Sequence, residues 1–144
     1  MNAREEVLNV PATDEAIDAV NEFIDKLLDG MSCAERTRRQ LDLAVEEIFV
    51  NISRYAYSGD GGEVTIRGQV SREPPCPLTL TFEDSGREFN PVESAPPDLS
   101  PAVRRHQKGG LGIFLARSMA DVIDYERRDG KNFLTIKKNM YIGG

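Results

Sequence analysis

Two pairs of alternating apolar runs are joined by connections too short to hold a crossover helix, and this restricts each pair to antiparallel neighbours. Val64, Ile66 and Val70 alternate up to the breaker Arg72-Glu73-Pro74-Pro75, and Leu78, Leu80 and Phe82 alternate after it. Val122-Ile123-Asp124-Tyr125-Glu126 and Asn132-Phe133-Leu134-Thr135-Ile136-Lys137 flank Asp129-Gly130, a dipeptide that suits a two-residue type I′ turn because both of its positions take positive φ. Parallel neighbours would need a dozen or more connecting residues. Elsewhere the period is helical. Ile17, Val20, Ile24, Leu27 and Leu28 follow a helix start at Pro11-Ala12-Thr13-Asp14-Glu15, with a capping hydroxyl and acids in the first turn, and Gly30 can end the segment. Ser32-Cys33-Ala34-Glu35 fits a capping box for a second helix through Leu41, Ala44, Val45, Ile48 and Ile52 to about Tyr55. Leu111, Phe114, Leu115 and Met119 make a third. The order α-α-β-β-α-β-β predicts an α+β two-layer sandwich, a mixed but mostly antiparallel sheet with helices on one face.

At 144 residues the chain is expected to form one domain, 1–144, around a single core. The net charge of −6 argues against a nucleic-acid backbone as direct partner. Met1 to Val10 carry charges and no apolar run, and nowhere do about 18 apolar residues follow one another. No membrane partner is expected, and the predicted location is the cytoplasm. Cys33 and Cys76 lack metal-site spacing and read as reduced thiols.

Three short motifs carry chemistry. Glu47 and Asn51 stand four residues apart, so on a helix a carboxylate and a carboxamide share a face, while Glu46 points about 100° away. Magnesium takes hard oxygen ligands and leaves several positions to water or phosphate, a role Asn51 can fill, and Glu47 can accept a proton as general base. Asp84 ends an alternating strand, where an acid is costly unless it accepts hydrogen bonds, and an adenine amine would supply one. Gly86 lets backbone approach a flat base because it has no Cβ. Gly109-Gly110-Leu111-Gly112 opens the third helix and offers N–H groups to phosphate. Between these motifs lies an aperiodic stretch, 93–108, read as a lid; it holds Arg104, Arg105, His106 and Lys108, and Lys108 is the best-placed phosphate contact. Taken singly, ExxxN also fits a solvated helix face, DxG a turn, GGLG a plain loop and His106 an exposed histidine.

In this order and spacing, the ExxxN pair, Asp84-Ser85-Gly86-Arg87-Glu88-Phe89, the lid and GGLG resemble the N, G1 and G2 boxes of the GHKL ATPase superfamily. More narrowly, Asn51-Ile52-Ser53-Arg54-Tyr55-Ala56-Tyr57 and Asp84 to Pro91 look like the anti-sigma-factor serine kinases of bacterial stress and sporulation switches. Tyr55 stands where many of those relatives have histidine. The resemblance implies a Bergerat-type ATP-binding fold, ATP and Mg²⁺ as cofactors, and a sigma factor or a small antagonist protein as partner, in a homodimer. It also implies Glu47 as base, Asn51 as metal ligand, Asp84 and Gly86 at adenine, and Lys108, Gly109, Gly110, Leu111 and Gly112 near phosphates. Protein-kinase motifs and GxxxxGK[ST] are absent. Two alternatives remain: a sensor-histidine-kinase output domain, and a non-catalytic module whose surface sequesters a regulator.

Overall fold

The computed structural model describes residues 3–57, 61–90 and 120–140. The lid stretch, the glycine motif and the third helix lie outside the described residues. Five strands, β1 (Ala3–Pro11), β2 (Glu63–Ser71), β3 (Pro77–Asp84), β4 (Val122–Arg128) and β5 (Lys131–Asn139), form one sheet in the order β1-β2-β3-β5-β4. Every pair among them is antiparallel. Helices α1 (Ile17–Leu27) and α2 (Glu35–Asn51) cover one face, and α2 runs on into a π-helical turn, Ile52–Ala56.

Strand alternation sends Val64, Ile66 and Val70 of β2, Leu78, Leu80 and Phe82 of β3, and Leu134 and Ile136 of β5 into one buried cluster. They meet Val20, Phe23, Ile24 and Leu27 of α1 and Leu41, Ala44, Val45, Ile48 and Phe49 of α2. The hairpins form where the breakers predict them. Asp129 and Gly130 have φ of 53° and 76°, as a type I′ turn requires. Gly30, at φ 79°, follows the end of α1. Among the described residues no helix is long and apolar enough to cross a membrane.

The sequence reading misses β1. Its alternate positions Arg4, Glu6, Leu8 and Val10 are the more buried ones, and two of the four are charged, which erases the period-two apolar signal. Those charges answer the end of α1. Arg4 donates to the carbonyls of Lys26 (2.7 Å) and Asp29 (3.2 Å), and Glu6 pairs with Lys26 at 3.6 Å. A guanidinium there satisfies C-terminal carbonyls and complements the helix dipole. The capping box does not form either. Ala34 occupies the N-cap position of α2 without a side-chain cap, and Ser32 lies two residues too early, in a loop where Cys33 packs on the core. Thr13 precedes the first turn of the α1 segment, but its hydroxyl makes no capping bond.

Gly68 sets the seat of α1. A Cβ there would lie 2.5 Å from Leu27 Cδ2 and 3.3 Å from Phe23 Cζ. Gly68→Val should therefore lower stability by about 1–3 kcal/mol despite its better strand propensity, because overpacking lifts α1 from the sheet. Urea unfolding checks this: the midpoint should fall at constant slope, and an unchanged or higher midpoint would contradict the packing.

Candidate functional site

The end of α2, the loop after β3 and the β4–β5 hairpin converge on one cavity. Ile48, Asn51, Ile52, Asp84, Phe89, Tyr125, Asn132 and Leu134 line it. Two of the polar residues predicted from sequence, Asn51 and Asp84, therefore share a wall although 33 positions separate them in the chain. Glu47 lies one helical turn before Asn51, half-buried, its carboxylate making no hydrogen bond or ion pair with another described residue.

Asn51 is 2% exposed, and its Oδ1 has no hydrogen-bond partner among the described residues. Native proteins seldom leave a buried polar atom unsatisfied, because the desolvation cost is not recovered. An open amide oxygen is a hard donor that fits Mg²⁺, with water and phosphate oxygens completing the shell. The helix changes to π-helical pitch immediately after this residue, a local distortion that recurs at functional sites.

Asp84 is 4% exposed. Its Oδ1 accepts from the Gly86 N–H and from Asn132 Nδ2, both at 2.9 Å. Burial pushes the Asp84 carboxyl above its ordinary value of 3.8, opposed by the Asn132 amide, the Gly86 N–H and the charge of Arg127. Gly86 is required for a reason the sequence does not display: a Cβ there would sit 2.4 Å from the Ala56 carbonyl oxygen. The loop is pinned to the π-helical turn on that side. The Arg87 N–H donates to the same Ala56 oxygen at 2.8 Å, and Arg87 Nε to the Tyr55 carbonyl at 2.5 Å. Tyr57 closes the joint, its hydroxyl accepting from the Ser85 N–H (2.7 Å) and donating to the Glu63 carbonyl (2.6 Å). Tyr55 stacks on Phe89, ring centroids 5.3 Å apart.

Three contributors escape the sequence reading: Asn132, Tyr125 and Arg127. Asn132 is 3% exposed and sits opposite Asp84 in the β3–β5 register. Arg127 donates to the Gly86 carbonyl at 2.8 Å. An asparagine in a central strand, where that residue is disfavoured, was the available signal. Lys108, Gly109, Gly110, Leu111 and Gly112 lie outside the described residues.

Residues 10–138 match the family model described as the histidine kinase-like ATPase domain. The chain belongs to that family. It is similar to the serine/threonine-protein kinase BtrW of Bordetella bronchiseptica, 33% identical over 104 residues and 70% of each chain. It also resembles the serine-protein kinase RsbW of Bacillus subtilis, 26% identical over 143 residues, 95% of this chain and 85% of that one. Among solved structures, the histidine kinase domain of the Erythrobacter litoralis EL346 blue-light activated histidine kinase aligns with a TM-score of 0.53 at 18% identity. That alignment covers 91% of this chain, which spans 62% of the neighbour's length. At that identity the likeness shows the fold alone, and it is the Bergerat-type sandwich.

The buried carboxylate makes stability depend on pH. A carboxyl that titrates higher when folded makes folding take up protons, so its contribution is greatest below 3.8, declines as pH rises through the folded value and is flat above it. Asp84→Asn removes the charge while keeping an acceptor for Gly86 and Asn132. Its thermal midpoint should exceed that of the wild type at about pH 7.5, and the gap should close as the pH falls towards about 4. A variant less stable than wild type at neutral pH would show that the carboxylate is not a strained group.

Proposed function

We propose that the chain is an anti-sigma-factor-type serine kinase, a single ATP-binding domain over 1–144 that binds ATP with Mg²⁺ and phosphorylates a serine on a small antagonist protein, holds a sigma factor, or does both in a partner switch. The observation that carries the reading is the orphaned Asn51 Oδ1 in one cavity with the buried Asp84 carboxylate. One is an open hard ligand atom, and the other keeps its Oδ2 as an acceptor beyond the two bonds made to Oδ1. Similarity to kinases named for serine supports the choice of acceptor.

In this reading Asp84 accepts from the adenine amine, and Gly86 keeps its loop close. Asn51 holds Mg²⁺, which when bound neutralises developing charge on the phosphates. Glu47, one turn away, takes the proton from the attacking serine hydroxyl. Lys108, Gly109, Gly110, Leu111 and Gly112 contact phosphates, with the 93–108 segment as a lid. The working form is a homodimer in the cytoplasm.

Calorimetry should show Mg²⁺-dependent ATP binding that Asp84→Ala and Asn51→Ala weaken. General-base assistance is worth about 10²–10⁴-fold, so Glu47→Ala should keep ATP affinity while cutting transfer of radiolabel to the antagonist by about that factor. Equal labelling by wild type and Glu47→Ala would remove Glu47 from the role. Binding of ATP and a sigma factor with no labelling at all would make the chain a non-catalytic module.

A further inference from the structure

Asn132 is the most connected polar side chain of the site. Its Oδ1 takes three donors: the Tyr125 hydroxyl at 2.5 Å, Arg127 Nη1 at 3.2 Å and the Phe89 N–H at 3.4 Å. Its Nδ2 gives to two acceptors, Asp84 Oδ1 at 2.9 Å and the Arg87 carbonyl at 2.8 Å. The two ends of the amide thus face opposite chemistry. Rotating it by half a turn would set NH₂ against three donors and oxygen against two acceptors, so the surroundings fix which end meets Asp84. Neither a carboxylate nor an aliphatic side chain can serve both ends.

The consequence falls on Asp84. With Gly86 N–H and Asn132 Nδ2 both on Oδ1, that oxygen is saturated, and Oδ2 is the acceptor left for a ligand. The direction of the chain of bonds, from Tyr125 and Arg127 on β4 through Asn132 on β5 to Asp84 on β3, favours a carboxylate that accepts. We infer that Asn132, locked by Tyr125 and Arg127, is the positioning residue that presents Asp84 Oδ2 to the exocyclic amine of the base and so sets selectivity for adenine. The inference rests on the adenine reading of Asp84 given above.

Nothing in this role requires Asn132 to touch the nucleotide, so its effect should depend on whether the ligand carries the amine. The test compares ATP with purine riboside triphosphate, the same ligand without the 6-amino group, by calorimetry on the full chain with Mg²⁺. Hydrogen bonds to a charged group are strong enough for the wild type to prefer ATP by about tenfold or more. Asn132→Leu should bring that ratio close to one. Tyr125→Phe, which removes one donor to Asn132 and leaves Asp84 and the core intact, should lower the ratio by about twofold or more. A residue that merely supports the fold would weaken both ligands equally and leave the ratio alone. If Asp84→Ala abolishes the preference while Asn132→Leu and Tyr125→Phe retain it in full, the inference is overturned and the Asp84 contact stands. Should Asn132→Leu fail to fold, Tyr125→Phe decides by itself. A wild type that does not distinguish the two ligands overturns both readings.

Discussion

A carboxylate buried at the end of a central strand must be held by donors, and for Asp84 two parts of the chain supply them while a third braces both. The register that pairs Asp84 with Asn132 across β3 and β5 places an amide beside it. The turn at Gly86 folds a backbone N–H back onto it. Arg127, on the edge strand β4, braces both the Gly86 carbonyl and Asn132. A one-residue slip of β5 would turn Asn132 to the other face and put Lys131 or Phe133 in its place. The two-residue turn at Asp129-Gly130 fixes a second register, the β4–β5 one that sets Arg127 opposite Asn132.

The other wall is built by close approach. The Ala56 carbonyl accepts from Arg87 and leaves no room for a Cβ at Gly86, so the Asp84 loop and the end of α2 cannot move independently. Asn51, one turn of chain earlier, inherits that rigidity. Its open amide oxygen and the raised Asp84 carboxyl are both unfavourable for the protein by itself. An unpartnered amide oxygen and a buried carboxylate lining one cavity, in a core that is mostly apolar, fit a site that a ligand completes.

How much of this was legible follows from the range of each interaction. The hairpins were readable because turn chemistry and alternation are local, and so was the sharing of a helix face by Glu47 and Asn51. Asp84 and Gly86 were readable as a pair, but the demand on Gly86 comes from Ala56, thirty positions away. Strand β1 was hidden because Arg4 and Glu6 occupy inward positions that only the end of α1 makes sensible. Asn132 was hidden for the same reason, since its five partners come from β3, β4 and the Asp84 loop. Capping failed as a guide where core packing of Cys33 overrode it.

These ranges also separate what the fold contributes from what the sequence contributes. A histidine kinase domain shares the sandwich at 18% identity, and a sandwich shared at that distance does not by itself assign a function. The arrangement around Asp84 is another matter. It is assembled from residues that touch one another rather than the bulk of the core: Asn132, Tyr125 and Arg127 around Asp84. Substituting any of them changes the acceptor offered to a ligand while leaving the aliphatic packing of β2, β3 and β5 against α1 and α2 in place. The polar end of the cavity can therefore be altered in this scaffold without rebuilding the apolar core.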